Sequence, residues 1–178
     1  MVESQVTQNL TLRTFLVLAL FVSASLIMAE EPYRAEDWKE LKEKIRKEFP
    51  GAPVLSVVDF EKEDRTKWTI LDCRTDREYK VSHIPGAVHA EDEADALRAI
   101  REGKKDKVVV YCSVGYRSGK LVEKLKERNI PNVFNLEGSI FVWANRDNPL
   151  EDSKGKPAKK VDRYGWRWGK YLKPEYRE

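Results

Sequence analysis

From residue 54 onward, short apolar runs alternate with charged stretches. VLSVV, WTILDC, IPGAVHA, VVVYC and NVFNL are separated by DFEKEDRTK, RTDREYKVS, EDEADALRAIREGKKDK and GKLVEKLKERNI. Runs of four to six β-branched or aliphatic residues between helical segments are the pattern of a parallel sheet covered on both faces, so an α/β fold is expected. Helix ends agree: Gly103 follows LRAIRE, Asn129 ends LVEKLKER, and Pro131 blocks continuation into the next strand. Upstream, AEDWKELKEKIRKEF spaces Trp38, Leu41, Ile45 and Phe49 along one helical stripe, which Pro50 and Gly51 terminate. No catalytic constellation sits on this helix, and it is read as a packing element.

The first residues differ in kind. Residues 15–28, FLVLALFVSASLIM, carry no charge, follow Arg13, and end in Ala29 before an acidic pair. Fourteen residues is closer to a signal-peptide core than to the roughly 20 of a spanning helix. A cleaved leader is expected, with an uncleaved membrane anchor or a buried helix as alternatives. The first two place the protein outside the cytoplasm, periplasmic or secreted, with membrane contact only if the leader stays. The expected layout is 1–29 leader, 30–53 helical extension, 54–147 domain and 148–178 a tail packed on it.

The chain has 178 residues, 41% of them hydrophobic and 35% charged. That suffices for one ordinary core and is short for two. Its 33 basic and 30 acidic residues leave a formal charge of +3, spread along the sequence. Bulk charge therefore gives no argument for nucleic acid. Two cysteines, Cys73 and Cys112, are too few for a disulfide framework. Neither has the spacing of a zinc ligand, so no metal site is expected.

VVVYCSVGYRS concentrates the chemistry. Ligands bind at the carboxyl ends of strands in an open α/β sheet, and Cys112 ends an expected strand that feeds a turn and a helix. Backbone N–H groups from Ser113 to Ser118 can curl around one point, and the helix adds its positive end. Arg117 supplies a fixed charge, and such surroundings lower a cysteine pKa from about 8.5 toward neutrality, favouring the nucleophilic thiolate. Gly115 gives the tight loop its unusual backbone position. Ser113 and Ser118 offer hydroxyls to an anion. Alone, Cys112 would be read as a buried strand-end thiol; its context makes it a nucleophile candidate.

WTILDCRTDREYKVSHIPGAVHA followed by KVVVYCSVGYRSGKLVEKLKERNIPNVFNLEGSIFVWA resembles a single rhodanese-like domain over about residues 54–147. The resemblance implies a five-stranded parallel sheet flanked by helices, and a cysteine that carries a persulfide between a sulfur donor and a thiophilic acceptor. Carried onto this chain, Cys112 is the sulfur carrier, and Ser113, Val114, Gly115, Tyr116 and Arg117 complete the loop around it. Related phosphatases place one more residue between cysteine and arginine; the four found here favour sulfur over phosphate. No cofactor is implied. Cys73 stands where an aliphatic residue is common, and Ser82 where glycine is common.

Other candidates are weighed against this site. Asp72 and Arg74, with Glu78, are expected to form a supporting ion-pair brace rather than to touch substrate. A carboxylate beside a thiolate would raise its pKa. His83 is read as structural, and His89 shows no partner in sequence. Cys73 could form a disulfide with Cys112. Strand alternation argues otherwise, because Cys73 faces away if Asp72 faces the loop. The tail RYGWRWGKYLKPEYR is expected to fold back as an added strand or clasp through Tyr164, Trp166, Trp168 and Tyr171. A partner or membrane surface is the alternative. The function expected is an exported, monomeric sulfurtransferase acting on thiosulfate, cyanide or a thiol, with a protein sulfur acceptor also conceivable. A persulfide carrier or sensor, or a binding module, are the alternatives.

Overall fold

The computed structural model describes residues 33–178; the leader expected at 1–29 lies outside them. Five parallel strands form the sheet: β1 (Val54–Ser56), β2 (Trp68–Asp72), β3 (Val88–His89), β4 (Lys107–Tyr111) and β5 (Val133–Glu137). They lie in the order β1-β5-β4-β2-β3. β4 is central, and its Val108, Val109, Val110 and Tyr111 are buried, as the uninterrupted apolar run requires of a strand covered on both faces.

The helices are α1 (Ala35–Glu48), α2 (Val57–Phe60), α3 (Asp76–Val81), α4 (Glu93–Gly103), α5 (Tyr116–Glu127) and α6 (Ser139–Asn145). Two differ from the sequence reading. The second half of VLSVV turns into α2, because Ser56 caps it by accepting from the Asp59 N–H. The polar stretch RTDREYKVS forms α3, whose capping box pairs Thr75 with Glu78 in both directions. α4 packs on β2, and α5 on β4 and β5. Among the described residues no helix is long and apolar enough to cross a membrane.

The α1 stripe is buried as spaced: Trp38, Leu41, Ile45 and Phe49 all face inward. Phe49 meets Tyr116 edge-on at 4.9 Å. A side chain added at Gly119 would strike the Phe49 ring at 2.8 Å. α1 therefore lies against the first turn of α5.

The tail after α6 makes a short hairpin, β6 (Leu150–Glu151) with β7 (Pro157–Ala158), then returns over α1 and α6. Tyr171 packs on Trp38 at 5.1 Å, and Asn145 donates to the Tyr171 carbonyl at 2.7 Å. Leu172 and Tyr176 are buried. The tail is thus a clasp and adds no strand to the main sheet. Of its four expected anchors only Tyr171 is buried, while Trp166 is 80% exposed.

Asp72 and Arg74 are both completely buried. The Arg74 guanidinium donates to both Asp72 oxygens at 2.9 and 2.6 Å and to the Ser82 carbonyl at 2.6 Å, tying the end of β2 to the turn after α3. Removing one member of a buried pair strands the other charge. Asp72→Ala should lower unfolding free energy by about 3–5 kcal/mol, read from urea midpoints. A loss below about 1 kcal/mol would show that Arg74 is satisfied without it.

Candidate active site

β4 delivers Cys112 one residue beyond its last paired position. The loop then turns at Gly115, whose φ of 108° is open to glycine and strained for other residues, and α5 begins at Tyr116. Two elements from outside the loop hold its backbone. At the start of α6, Ser139 accepts from the Cys112 N–H at 3.1 Å and donates to the Leu136 carbonyl at 3.0 Å. The Ile140 and Phe141 N–H groups donate to the Cys112 and Ser113 carbonyls, each at 3.2 Å. Gly138, at φ 77°, and Ser139, at φ 53°, make the sharp turn that brings them there. On β5, Asn135 donates to the Gly115 carbonyl at 3.0 Å and accepts from the Ser118 hydroxyl at 2.7 Å.

The Cys112 sulfur lies inside this cage, 1% exposed. The Gly115 N–H donates to it at 3.2 Å, and the Ser118 hydroxyl lies 3.6 Å away. Burial alone would raise the thiol's pKa. The neighbouring Cys73, the Arg117 charge and Ser118 outweigh it, so Cys112 is held well below the ordinary thiol value.

Arg117 does not point a free charge at the sulfur. Its two terminal nitrogens donate to the two Glu78 oxygens at 2.8 and 2.7 Å, and one also donates to the Ser113 hydroxyl at 3.0 Å. Ser113 in turn donates to Glu78 at 3.1 Å. Burial pushes the Glu78 carboxyl upward, but the Arg117 fork and the Thr75 bonds dominate and bring it to about 2. Over the guanidinium lies the Tyr164 ring, 4.3 Å from centroid to the central carbon.

In front of Cys112 opens a cavity of about 650 Å³. The loop lines it with Ser113, Val114, Tyr116 and Arg117, α1 with Leu41, Lys44 and Glu48, and the tail with Tyr164 and Trp168. Gly115 and Ser118 grip the sulfur from behind and do not border the cavity. Among the described residues no group of histidine, cysteine and carboxylate side chains is arranged to hold a metal ion.

The structure corrects the sequence reading at three places. Asp72, Arg74 and Glu78 do not form one brace: Asp72 and Arg74 pair with each other, whereas Glu78 is the partner of Arg117. Cys73 does not face away. Alternation holds, but it is Asp72 that points to the opposite side, and Cys73 stands beside Cys112 where the paired strands β2 and β4 end. α1 does more than pack, since it walls the cavity. His83 is buried with its Nδ1 donating to the Tyr79 carbonyl at 3.1 Å, and His89 Nε2 donates to the Arg74 carbonyl at 2.8 Å. Ser139 and Asn135 went unassigned in the sequence. A polar residue inside the apolar run NVFNL was the one available signal for Asn135.

The family model for the rhodanese-like domain matches residues 57–146. A tRNA uridine(34) hydroxylase from Salmonella arizonae is 32% identical over 82 residues, 43% of this chain and 23% of that protein; the same relative from Salmonella newport matches equally. The chain thus spans about a quarter of the length of these curated relatives. Among solved structures, a thiosulfate sulfurtransferase from Pseudomonas aeruginosa aligns with a TM-score of 0.55 at 24% identity, over 75% of this chain and 26% of that one. A protein from Rhodopseudomonas palustris described as a possible tyrosine phosphatase aligns with a TM-score of 0.50 at 23% identity, over 64% of this chain and 93% of that one. At these identities the two structures share the fold. With the family model covering half of the sequence, and the parallel sheet, cysteine loop and following helix in the matching order, the chain belongs to the rhodanese-like domain family.

Proposed function

We propose that the protein is a sulfurtransferase that carries sulfane sulfur on Cys112 from an anionic donor such as thiosulfate to a thiophilic acceptor, cyanide or a thiol. The observation that carries this reading is a buried Cys112 at the floor of an open cavity, met by the Gly115 N–H at 3.2 Å and held well below the ordinary thiol value. The thiolate attacks the outer sulfur of thiosulfate: one S–S bond forms, the donor's S–S bond breaks, and sulfite leaves with the electron pair. The charge that remains on the persulfide's outer sulfur faces the cavity, against the loop residues Ser113, Val114, Tyr116 and Arg117 that line it. Cyanide then takes the outer sulfur as thiocyanate and returns Cys112 as thiolate.

A small anion suits the cavity. Lys44 stands on its rim with no carboxylate partner among the described residues, while the Arg117 charge is answered by Glu78. Arg117 therefore acts by locking the loop and lowering the thiol, and Lys44 by attracting the donor. We extend the proposal to an exported monomer released by a leader at 1–29, with a protein thiol as one acceptor and no nucleic-acid partner.

Cys112→Ser should abolish thiosulfate:cyanide turnover, and turnover surviving that change would remove the assignment. A persulfide on Cys112 without turnover would favour the carrier reading. Because the thiol is lowered, iodoacetamide labelling of Cys112 should show no inflection near pH 8.5. Arg117→Gln should restore a rise in that region and cut kcat by about 10²-fold. A flat profile in that variant would mean that Arg117 does not set the ionisation. At the acid end, Glu78 is lowered from 4.5 to about 2. Its stabilisation is complete above 4.5 and is lost as pH falls toward 2. Native fluorescence should therefore decay through that window, and Glu78→Gln should move the decay to higher pH.

A further inference from the structure

Sulfur transfer at Cys112 leaves a second buried thiol, Cys73, without a chemical task. The sheet sets the two side by side. β2 and β4 pair with Asp72 opposite Tyr111, and the Cys73 N–H extends the ladder by donating to the Tyr111 carbonyl at 3.0 Å. The next residue of each strand therefore stands beside the other and projects to the same face. Neighbouring strands run about 4.8 Å apart, inside the roughly 4.4–6.8 Å Cα separation of a disulfide. Each cysteine is among the groups that shift the other's ionisation, as neighbours at paired strand ends should be. Both cysteines are free and buried. Burial and the neighbouring Cys112 push the Cys73 thiol up, while Cys112 is held down.

Cys73 also borders a cavity of its own, about 410 Å³, with Thr75, Asp92 and Lys120 on its walls. Arg117 and Tyr164 border both cavities. Their stack divides the approach to Cys112 from the approach to Cys73.

We propose that Cys73 resolves the Cys112 persulfide, giving the protein a second activity: reduction of sulfane sulfur to hydrogen sulfide with an external dithiol as reductant. This rests on the persulfide reading above. The Cys73 sulfur attacks the inner sulfur of the Cys112 persulfide and its proton passes to the outer sulfur. An S–S bond forms between Cys73 and Cys112, the persulfide bond breaks, and hydrosulfide leaves with the electron pair. The two cysteines are oxidised to a disulfide and the sulfane sulfur is reduced. A dithiol then reduces the disulfide by two exchanges, with the cavity beside Cys73 as its approach.

Full-length protein is loaded with thiosulfate or with inorganic polysulfide, desalted, and left without acceptor. Wild type should release up to one equivalent of sulfide per chain as a peptide linked Cys73 to Cys112 accumulates, and dithiothreitol should make the release catalytic. In Cys73→Ser, or Cys73→Ala if serine is not tolerated, the mass of one added sulfur on Cys112 should persist at least about tenfold longer. Equal persulfide lifetimes in wild type and variant would overturn the proposal. So would failure of diamide to link Cys73 to Cys112 in a protein that still takes up sulfur, which leaves the transfer reading standing. No sulfur gained by Cys112 from either reagent, in wild type or variant, would overturn the transfer reading and this one with it.

Discussion

Burying an anion is the constraint on which this structure turns. A thiolate taken out of water must be met by donors that are already aimed, because a low-dielectric site penalises an uncompensated charge far more than solvent does. Only backbone N–H groups at a tight turn and a helix start can converge on one sulfur without bringing their own bulk. That fixes glycine at 115, where φ is 108°, and fixes α5 to begin immediately afterwards. A loop bent so sharply cannot hold itself. Its outward carbonyls and the Cys112 N–H are satisfied by Asn135 from β5 and by Ser139, Ile140 and Phe141 from α6. The next strand and helix are part of the thiolate's environment even though neither touches the sulfur through a charged group.

The Glu78–Arg117 fork is the second layer of the same problem. Arg117 near the sulfur favours the thiolate, but a partly buried guanidinium also needs partners. Glu78 supplies both acceptor oxygens and is itself held by the Thr75 capping box of α3. A helix cap, an ion pair and a nucleophile are thereby linked through one carboxylate. The pairing also limits the effect of the negative charge on Cys112, since the Glu78 charge is spent on Arg117 in a bidentate contact. A carboxylate in the vicinity thus does not keep the thiol protonated.

Much of this was legible in the sequence because it is local. Strand runs, helix stops, the Cys112 loop and its count of residues to Arg117 are patterns within a dozen positions, and the parallel sheet follows from them. Three things were not legible, each for a physical reason. Which partner Glu78 takes depends on a contact 39 residues away in sequence. The face taken by Cys73 depends on sheet register, where one residue of slip inverts every side chain; alternation was read correctly and anchored to the wrong face. The clasp formed by the tail depends on tertiary packing, and its aromatic residues divide between burial at Tyr171 and exposure at Trp166 with nothing in their spacing to separate them.

The cavity shows how the work divides between family core and extensions. Residues 57–146, which match the family, contain the nucleophile, its loop and the Glu78–Arg117 pair. Leu41, Lys44 and Glu48 from α1 and Tyr164 and Trp168 from the tail lie outside that range and form the remaining walls. The two extensions meet through the Trp38–Tyr171 rings, the Lys170–Asp37 ion pair and the Arg177–Tyr33 hydrogen bond rather than through the sheet. The chemistry of the sulfur is therefore set by elements that the fold cannot change without losing its thiolate. The size, charge and apolar character of what reaches it are set by two segments outside the range that matches the family. An aromatic ring over Arg117, the Lys44 and Glu48 side chains of α1 and the Trp168 indole complete the walls around the sulfur. Under the proposed function, selectivity among sulfur donors resides in α1 and the tail, and reactivity in the loop.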